Sequence, residues 1–412
     1  MWWTRTVAIT RADAEALDRA DPLAGLRDQF VAGPPGVIAL DGNSLGRPPA
    51  TIAARLAELV DEWAQRRIDA WDDWMQLPFS LGDLLASEFL GARPGEVVVC
   101  DSTTINLYKL AAAALAAAGP DRKVIVTDDD NFPTDRYVLA GLAASTHGEI
   151  RFVATDPVEG LDPDRIAAAL GPDVGLLSLS HVAYRSGALA DMSAINAVGR
   201  RAGVDVMWDL SHSVGAIPLD LDATGTELAV GCTYKYLCGG PGAPAFAYVR
   251  RARQAALRQP IWGWFSQRDQ FAMGPVYDPV DGIGRLATGT PPVVGLVCVE
   301  TAARLLAAAG MDALRAKGLA LGALMVALAD EWLAPYGVGL ASPRSPLRRG
   351  NHVAFAHPQA ESLCRLAAEQ GVAGDFRAPD RLRLGPAPAT TSFTDVWDAL
   401  DRLRHVAASS LT

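Results

Sequence analysis

Val204-Asp205-Val206-Met207-Trp208-Asp209-Leu210-Ser211-His212-Ser213 is an apolar run that ends on an acid and passes into polar residues. A short run of this kind reads as a strand covered on both faces, as in a parallel sheet. Comparable runs stand at Val97–Val99, Val124–Thr127, Arg151–Ala154, Val174–Ser178 and Ala245–Val249, and alanine-rich stretches of helical length (Ile105–Ala118, Asp164–Leu170, Ser193–Ala202) lie between most of them. Strands alternating with helices predict an α/β block with a largely parallel sheet, here over about residues 90 to 290.

Working outward, a turn-rich stretch, Leu40–Pro49, precedes a helical pattern over Thr51–Ile68. Beyond the block come two helical patterns, Gly295–Ala309 and Met311–Leu333, and a Pro/Arg loop, Ser342–Gly350. A small α+β unit follows: strand Asn351–Ala356, helix Gln359–Glu369, strand Arg381–Leu384 and helix Thr394–Ala407. The expected division is an N-terminal arm over 1–50, a large α/β domain over 51–294 and a small C-terminal α+β domain over 295–412. No internal repeat is visible.

The 412 residues suffice for two to three domains. Half are hydrophobic, which excludes a disordered chain. With 37 Lys+Arg against 47 Asp+Glu the net charge is −10, which gives no footprint for nucleic acid or an anionic membrane. A small molecule is the expected ligand. Five cysteines without a C-x-x-C pair fit a reduced, cytoplasmic chain. Met1–Thr10 lacks the pattern of a signal peptide, and the longest apolar run, Leu110–Ala118, is too short to span a bilayer.

Asp209 and His212 fall where α/β sheets bind ligands, at the carboxyl end of a strand. A carboxylate there pairs with a cationic ring nitrogen, or else caps a following helix. Farther on, Gly231-Cys232-Thr233-Tyr234-Lys235-Tyr236-Leu237-Cys238-Gly239-Gly240-Pro241-Gly242 sets one lysine among aromatic, thiol and glycine neighbours. A desolvated lysine amine forms a Schiff base with an aldehyde; the plainer reading is a lysine that snorkels to the surface. A Lys and an Asp on one scaffold are what pyridoxal phosphate requires. Its phosphate needs donors, and Asp101-Ser102-Thr103-Thr104-Ile105-Asn106 offers hydroxyls and a helix N-terminus, although such runs are also ordinary caps. Phe132, after the acids Asp128-Asp129-Asp130, could stack on a flat ring, although three successive acids also read as a solvated loop. The six histidines show no metal-ligand spacing, so no metal site is expected, and no G-x-S-x-G elbow follows a strand.

These segments, in their order and spacing, resemble the kynureninases, members of the aspartate-aminotransferase-like fold type I group of pyridoxal phosphate enzymes. The resemblance runs from Gly42-Asn43-Ser44-Leu45-Gly46 through Phe132-Pro133-Thr134-Asp135, Trp208-Asp209-Leu210-Ser211-His212 and Thr233-Tyr234-Lys235-Tyr236-Leu237. It continues in Gly263-Trp264-Phe265, Gly289-Thr290-Pro291-Pro292, Gly374-Asp375-Phe376-Arg377 and Arg383-Leu384-Gly385-Pro386-Ala387-Pro388.

The resemblance implies a mostly parallel seven-stranded sheet in the large domain and hydrolytic cleavage of the Cβ–Cγ bond of L-kynurenine to anthranilate and L-alanine. 3-Hydroxy-L-kynurenine is a second candidate substrate. The resemblance makes Lys235 the Schiff-base lysine and Asp209 the partner of the pyridinium nitrogen; the chemistry also needs a donor to an oxyanion, for which Tyr234 or Ser44 is the expectation. Phe132 with Pro133 and Thr134 would line the ring, Asp135 and His212 would lie by its polar edge, and Thr103, Thr104, Ser180 and Tyr234 would bind the phosphate region. Arg383 would hold the substrate α-carboxylate. Trp264 and Thr290 match positions that reach the cofactor of a neighbouring subunit, which implies a homodimer with shared sites. Animal members carry Asn where Thr290 stands; Thr290, with Trp74 as a substrate contact, looks more like bacterial members that prefer unhydroxylated L-kynurenine, while Trp74 equally fits a core. Arg185 has no assigned role. A desulfurase or aminotransferase relative is the alternative within the fold, but a desulfurase needs a cysteine on a mobile loop, and Cys298 and Cys364 lie in helical patterns. A non-catalytic binding protein would need neither Lys235 nor Asp209.

Overall fold

The computed structural model describes residues 8–411; Met1 to Val7, with most of the stretch weighed as a leader, and Thr412 lie outside the described residues. Seven strands form the central sheet: β1 (Val97–Val99), β2 (Val124–Asp128), β3 (Glu149–Val153), β4 (Val174–Ser180), β5 (Asp205–Asp209), β6 (Leu228–Gly231) and β7 (Phe246–Val249). Their order is β1-β7-β6-β5-β4-β2-β3. Only β7 runs antiparallel to its neighbours, so the sheet is mostly parallel as expected. Strand β6 was not anticipated: Leu-Ala-Val-Gly has a single β-branched residue, and it forms because β5 and β7 supply its hydrogen bonds on both sides. Helix Pro133–Ser145 was missed too; it opens with proline at its first position, where no N–H is required.

One face of the sheet buries Val126, Leu177, Trp208 and Phe246, the other Ile125, Leu176, Met207 and Ala247 against Leu107, Leu110 and Ala114 of helix Thr103–Ala118. Both faces are covered, which is why the strands read as continuous apolar runs. A second core lies under a four-stranded antiparallel sheet of β8 (Gly339–Leu340), β9 (Val353–Ala356), β10 (Asp375–Arg377) and β11 (Arg381–Leu384), in the order β10-β11-β9-β8. Helix Val293–Ala309 packs Leu296, Val299 and Leu306 into the large core, and helix Met311–Trp332 passes from that core at Leu314 to the small one at Leu321.

The N-terminal arm ties the two cores together. Its helix Arg11–Ala20 carries a capping box from Thr10 and Asp13, and Asp18 accepts from the first N–H groups of helix Phe393–Ser410. Ile38 pairs parallel with Val372, and Leu40 and Gly42 bond the backbone around Ala373 and Gly385. Gly46 N–H then donates to the Tyr234 carbonyl at 2.9 Å, so the turn Asp41–Gly46 touches both domains. Among the described residues no single helix is long and apolar enough to cross a membrane; the bent pair Val293–Ala309 and Met311–Trp332 is apolar because it packs in the cores.

Candidate active site

Strands β2, β4, β5 and β6 deliver their carboxyl ends to one side of the sheet. Asp209 closes β5, and its Oδ1 accepts from Ser211 N–H at 2.7 Å. No helix follows, so the capping reading of Asp209 falls away: Leu210–Ile217 is a chain of turns. Asp135, buried in the first turn of Pro133–Ser145, has its carboxyl pushed well above the usual range by burial and by the charge of Asp209, with Lys235 pulling the other way. Its Oδ2 has no hydrogen-bond partner. Two neighbouring carboxyls with one oxygen unsatisfied form a site for a proton-bearing or cationic group.

Lys235 stands in the turn after β6, half-buried, with Nζ 3.1 Å from His212 Nε2, 6.0 Å from the centre of the Phe132 ring and 5.9 Å from that of Tyr234. The loop is held from beneath by Gly46, where a Cβ would overlap the Lys235 carbonyl and lie 2.6 Å from Cys238 Sγ. His212 is buried, and burial followed by the charge of Lys235 holds its pKa well below the ordinary value, so its ring is neutral. Burial pushes the Tyr234 phenol up, so it keeps its proton and serves as a donor. Phe132 is partly exposed and meets Tyr184 edge-on at 5.4 Å. Ser180 Oγ, at the end of β4, donates to Asn131 Oδ1 at 2.7 Å. Thr103 and Thr104 begin their helix behind the Ser102 cap; Thr104 is exposed and Thr103 half-buried.

Arg383, on β11, is buried at 1 % exposure. Its Nε and Nη2 each donate to Asp375 at 2.5 Å, its Nη1 to the Tyr184 carbonyl, and Ser44 Oγ donates to the same Asp375 at 2.5 Å. Burial pushes the Asp375 carboxyl up, but the bonds and charge of Arg383 outweigh it and hold the group below the usual range. The charge of Arg383 also bears on His212, which joins this cluster to the lysine site.

Trp264 and Thr290 are exposed, and Trp74 packs edge-on against Trp71 at 5.4 Å. Among the described residues the hydrogen-bond and ring contacts of Lys235 Nζ are with His212, Phe132 and Tyr234, and none of these three is among them. Arg185, left unassigned by the sequence, pairs with Asp130 at 3.1 Å. Cys298 and Cys364 lie on helices and are half-buried, which removes the mobile nucleophile a desulfurase needs.

Sequence reasoning missed His352. It is fully buried, its ring centre 5.3 Å from that of His212, and neither ring nitrogen has a hydrogen-bond partner. Burial and the charge of Arg383 lower its pKa to about 3. The signal was the run Asn351-His352 ahead of an apolar strand, a polar pair where a core strand begins.

A lysine and an acid at the carboxyl ends of a mostly parallel seven-stranded sheet, with a small α+β domain bringing an arginine to them, define the fold type I class. Structural likeness agrees: the cysteine desulfurase of Thermococcus onnurineus NA1 superposes with a TM-score of 0.79 at 16% identity, covering 90% of this chain and 95% of its own. The cystine C-S lyase C-DES, in complex with its product cysteine persulfide, gives 0.80 at 19% identity, covering 89% and 97%. The kynureninase of Pseudomonas fluorescens is 43% identical over 403 residues, 96% of this chain and 95% of its own length, and that of Burkholderia pseudomallei (strain 1106a) matches equally. Residues 314–403 match the kynureninase C-terminal domain. The chain belongs to the kynureninase family.

Proposed function

We propose that this protein hydrolyses the Cβ–Cγ bond of L-kynurenine, releasing anthranilate and L-alanine, with pyridoxal phosphate as cofactor. The observation that carries this reading is the full-length identity to kynureninases together with a lysine, an acid pair and an arginine in one cluster. The residues present fit the cofactor. The paired carboxyls of Asp209 and Asp135, one oxygen unpartnered, suit a protonated ring nitrogen and its polar edge, Phe132 suits a flat ring, and the N-terminus of Thr103–Ala118 with Ser180 and Tyr234 suits a phosphate. When bound, the cofactor supplies an electron-accepting ring that makes the substrate α proton acidic.

The chain's own groups do the rest. Arg383 binds the α-carboxylate, a planar fork against a planar anion. Lys235 would hold the cofactor through its amine, and the free amine would take the substrate α proton, with neutral His212 positioning Nζ at 3.1 Å. Tyr234, holding its proton, donates to the oxyanion formed when water adds to the γ carbonyl. The Cβ–Cγ bond then breaks, the aryl acid leaves with the oxygen of water, Cβ takes a proton, and return of the α proton from Lys235 yields L-alanine. Ser44 is the alternative donor, but its proton is directed at Asp375, which favours Tyr234. Trp264, Thr290 and Trp74 would enter the site from the partner of a homodimer or, for Trp74, on substrate binding, and Thr290 in place of Asn favours the unhydroxylated aryl group. A reduced cytoplasmic setting fits the five free cysteines.

The test is incubation of the purified, cofactor-loaded protein with L-kynurenine and 3-hydroxy-L-kynurenine while aryl product fluorescence and alanine are followed. We expect stoichiometric anthranilate and alanine, and loss of turnover in Lys235→Ala. Cofactor binding with no aryl product from either substrate would overturn the reading.

A further inference from the structure

The guanidinium of Arg383 carries five N–H hydrogens in a fixed plane. Three are spent in short bonds inside the protein. The side-on edge, Nε and Nη2, meets the two oxygens of Asp375 at 2.5 Å each, and Nη1 donates to the Tyr184 carbonyl. Of the other two, one on Nη1 and one on Nη2, the Nη2 hydrogen is taken up only by a long donation to Ser44 Oγ, so the end-on edge carries the weakest of the internal bonds. Ser44 Oγ lies 3.4 Å from Nη2, at the long limit, and turns its own proton to Asp375 Oδ2 at 2.5 Å. Arg377 approaches the same oxygen at 3.3 Å.

We propose that Asp375 is a positioning residue that aims Arg383: it holds the side-on edge of the guanidinium so that the end-on edge is presented to the α-carboxylate of the amino acid substrate. The assignment of that carboxylate to Arg383 rests on the function proposed above. Three features support the role. Arg383 is buried, so its direction is set by partners and not by solvent. Asp375 and Arg383 sit opposite each other across the β10–β11 register, on a two-stranded frame that fixes both backbones. The charges also leave room for one anion: Asp375 neutralises one of two arginines, so the cluster keeps a single positive charge for a monocarboxylate. Ser44 arrives on the N-terminal arm, so the arm and the small domain together fix the aim.

The experiment uses the cofactor-loaded protein and reads the cofactor absorbance as L-alanine or ethylamine, the same amine without a carboxylate, is added. Asp375→Ala is expected to weaken L-alanine by at least about tenfold, the scale for breaking a buried charge pair, while ethylamine changes by less than about twofold. Added formate, small enough to take the vacated edge, restores L-alanine affinity. Unchanged L-alanine affinity, a parallel fall for ethylamine, a loss that formate does not relieve, or formate that competes with L-alanine each overturns the proposal. Melting of the variant checks its fold. Should Asp375→Ala not fold, Asp375→Asn, which sets an amide N–H₂ against a guanidinium donor, is expected to show the same selective loss for L-alanine, and its absence overturns the proposal. A protein that cleaves no kynurenine yet shows this alanine pattern would lose the proposed function and keep the aiming role.

Discussion

His352 shows what burial does to one ring. The native protein keeps it neutral down to about pH 3, whereas an unfolded chain takes up its proton near 6.5. Between those values the unfolded state binds more protons, so this residue's contribution to stability is complete above about pH 6.5 and lost as the pH falls toward 3. Glutamine cannot titrate. On moving from pH 7.5 to 5, the stability of His352→Gln relative to wild type should therefore rise by about 2 kcal/mol, at 1.36 kcal/mol per pH unit. Denaturant melts at the two pH values measure it, and a pH-independent gap would show that the ring titrates in the native state as it does in the unfolded chain. Lys235 and Asp209 could be singled out in the sequence because each sits in a run with its own chemistry, and Arg383 through the family resemblance. His352 and Asp375 were not, since their meaning lies in partners such as His212 and Arg383 that only the folded chain places beside them. Ser44 is similar: it reaches the arginine cluster across 339 residues of chain.

Among the elements, the strands that could be read were those buried on both faces, where apolar runs leave no ambiguity. β6 escaped because four small residues hold no period, and its identity comes from the two strands beside it. Close approaches of backbone to backbone were equally hidden, and glycine marks them. At Gly46 a Cβ would run into the Lys235 carbonyl, whereas Gly141, inside helix Pro133–Ser145, has nothing within 4 Å. Gly46→Ala should therefore cost about 1 to 3 kcal/mol as overpacking and shift the cofactor absorbance by displacing the lysine loop. Gly141→Ala should stabilise by about 0.5 to 1 kcal/mol, the ordinary gain of alanine over glycine in a helix. Chemical denaturation of both variants checks the contrast; equal effects would mean that the loop under Lys235 is free to move.

At the scale of the whole molecule, one chain leaves several large apolar side chains near one another in sequence exposed. Trp262, Phe271, Met273 and Val276, on the segment between β7 and helix Val293–Ala309, and Val294, in the first turn of that helix, are all more than half exposed, and Trp264 on the same segment is exposed at 42 %. Single exposed apolar residues need no explanation, but a contiguous stretch of them marks a contact surface. This is the stretch that carries Trp264 and ends beside Thr290, both exposed within the chain. A symmetric dimer would bury the surface and bring Trp264 of each chain to the lysine of the other. That arrangement has an arithmetic consequence. Lys235→Ala and Trp264→Ala would each be inactive alone, but a mixed dimer has one site with both residues intact. Random exchange makes half the dimers mixed, each with one of two sites restored, so mixing the two proteins in equal amounts should recover about a quarter of wild-type turnover. Recovery must require subunit exchange, appearing only after mild denaturation and refolding or long incubation. If the mixture stays inactive while light scattering shows exchanged dimers, Trp264 serves the site of its own chain, and closure of its loop over Lys235 must replace the partner in the mechanism.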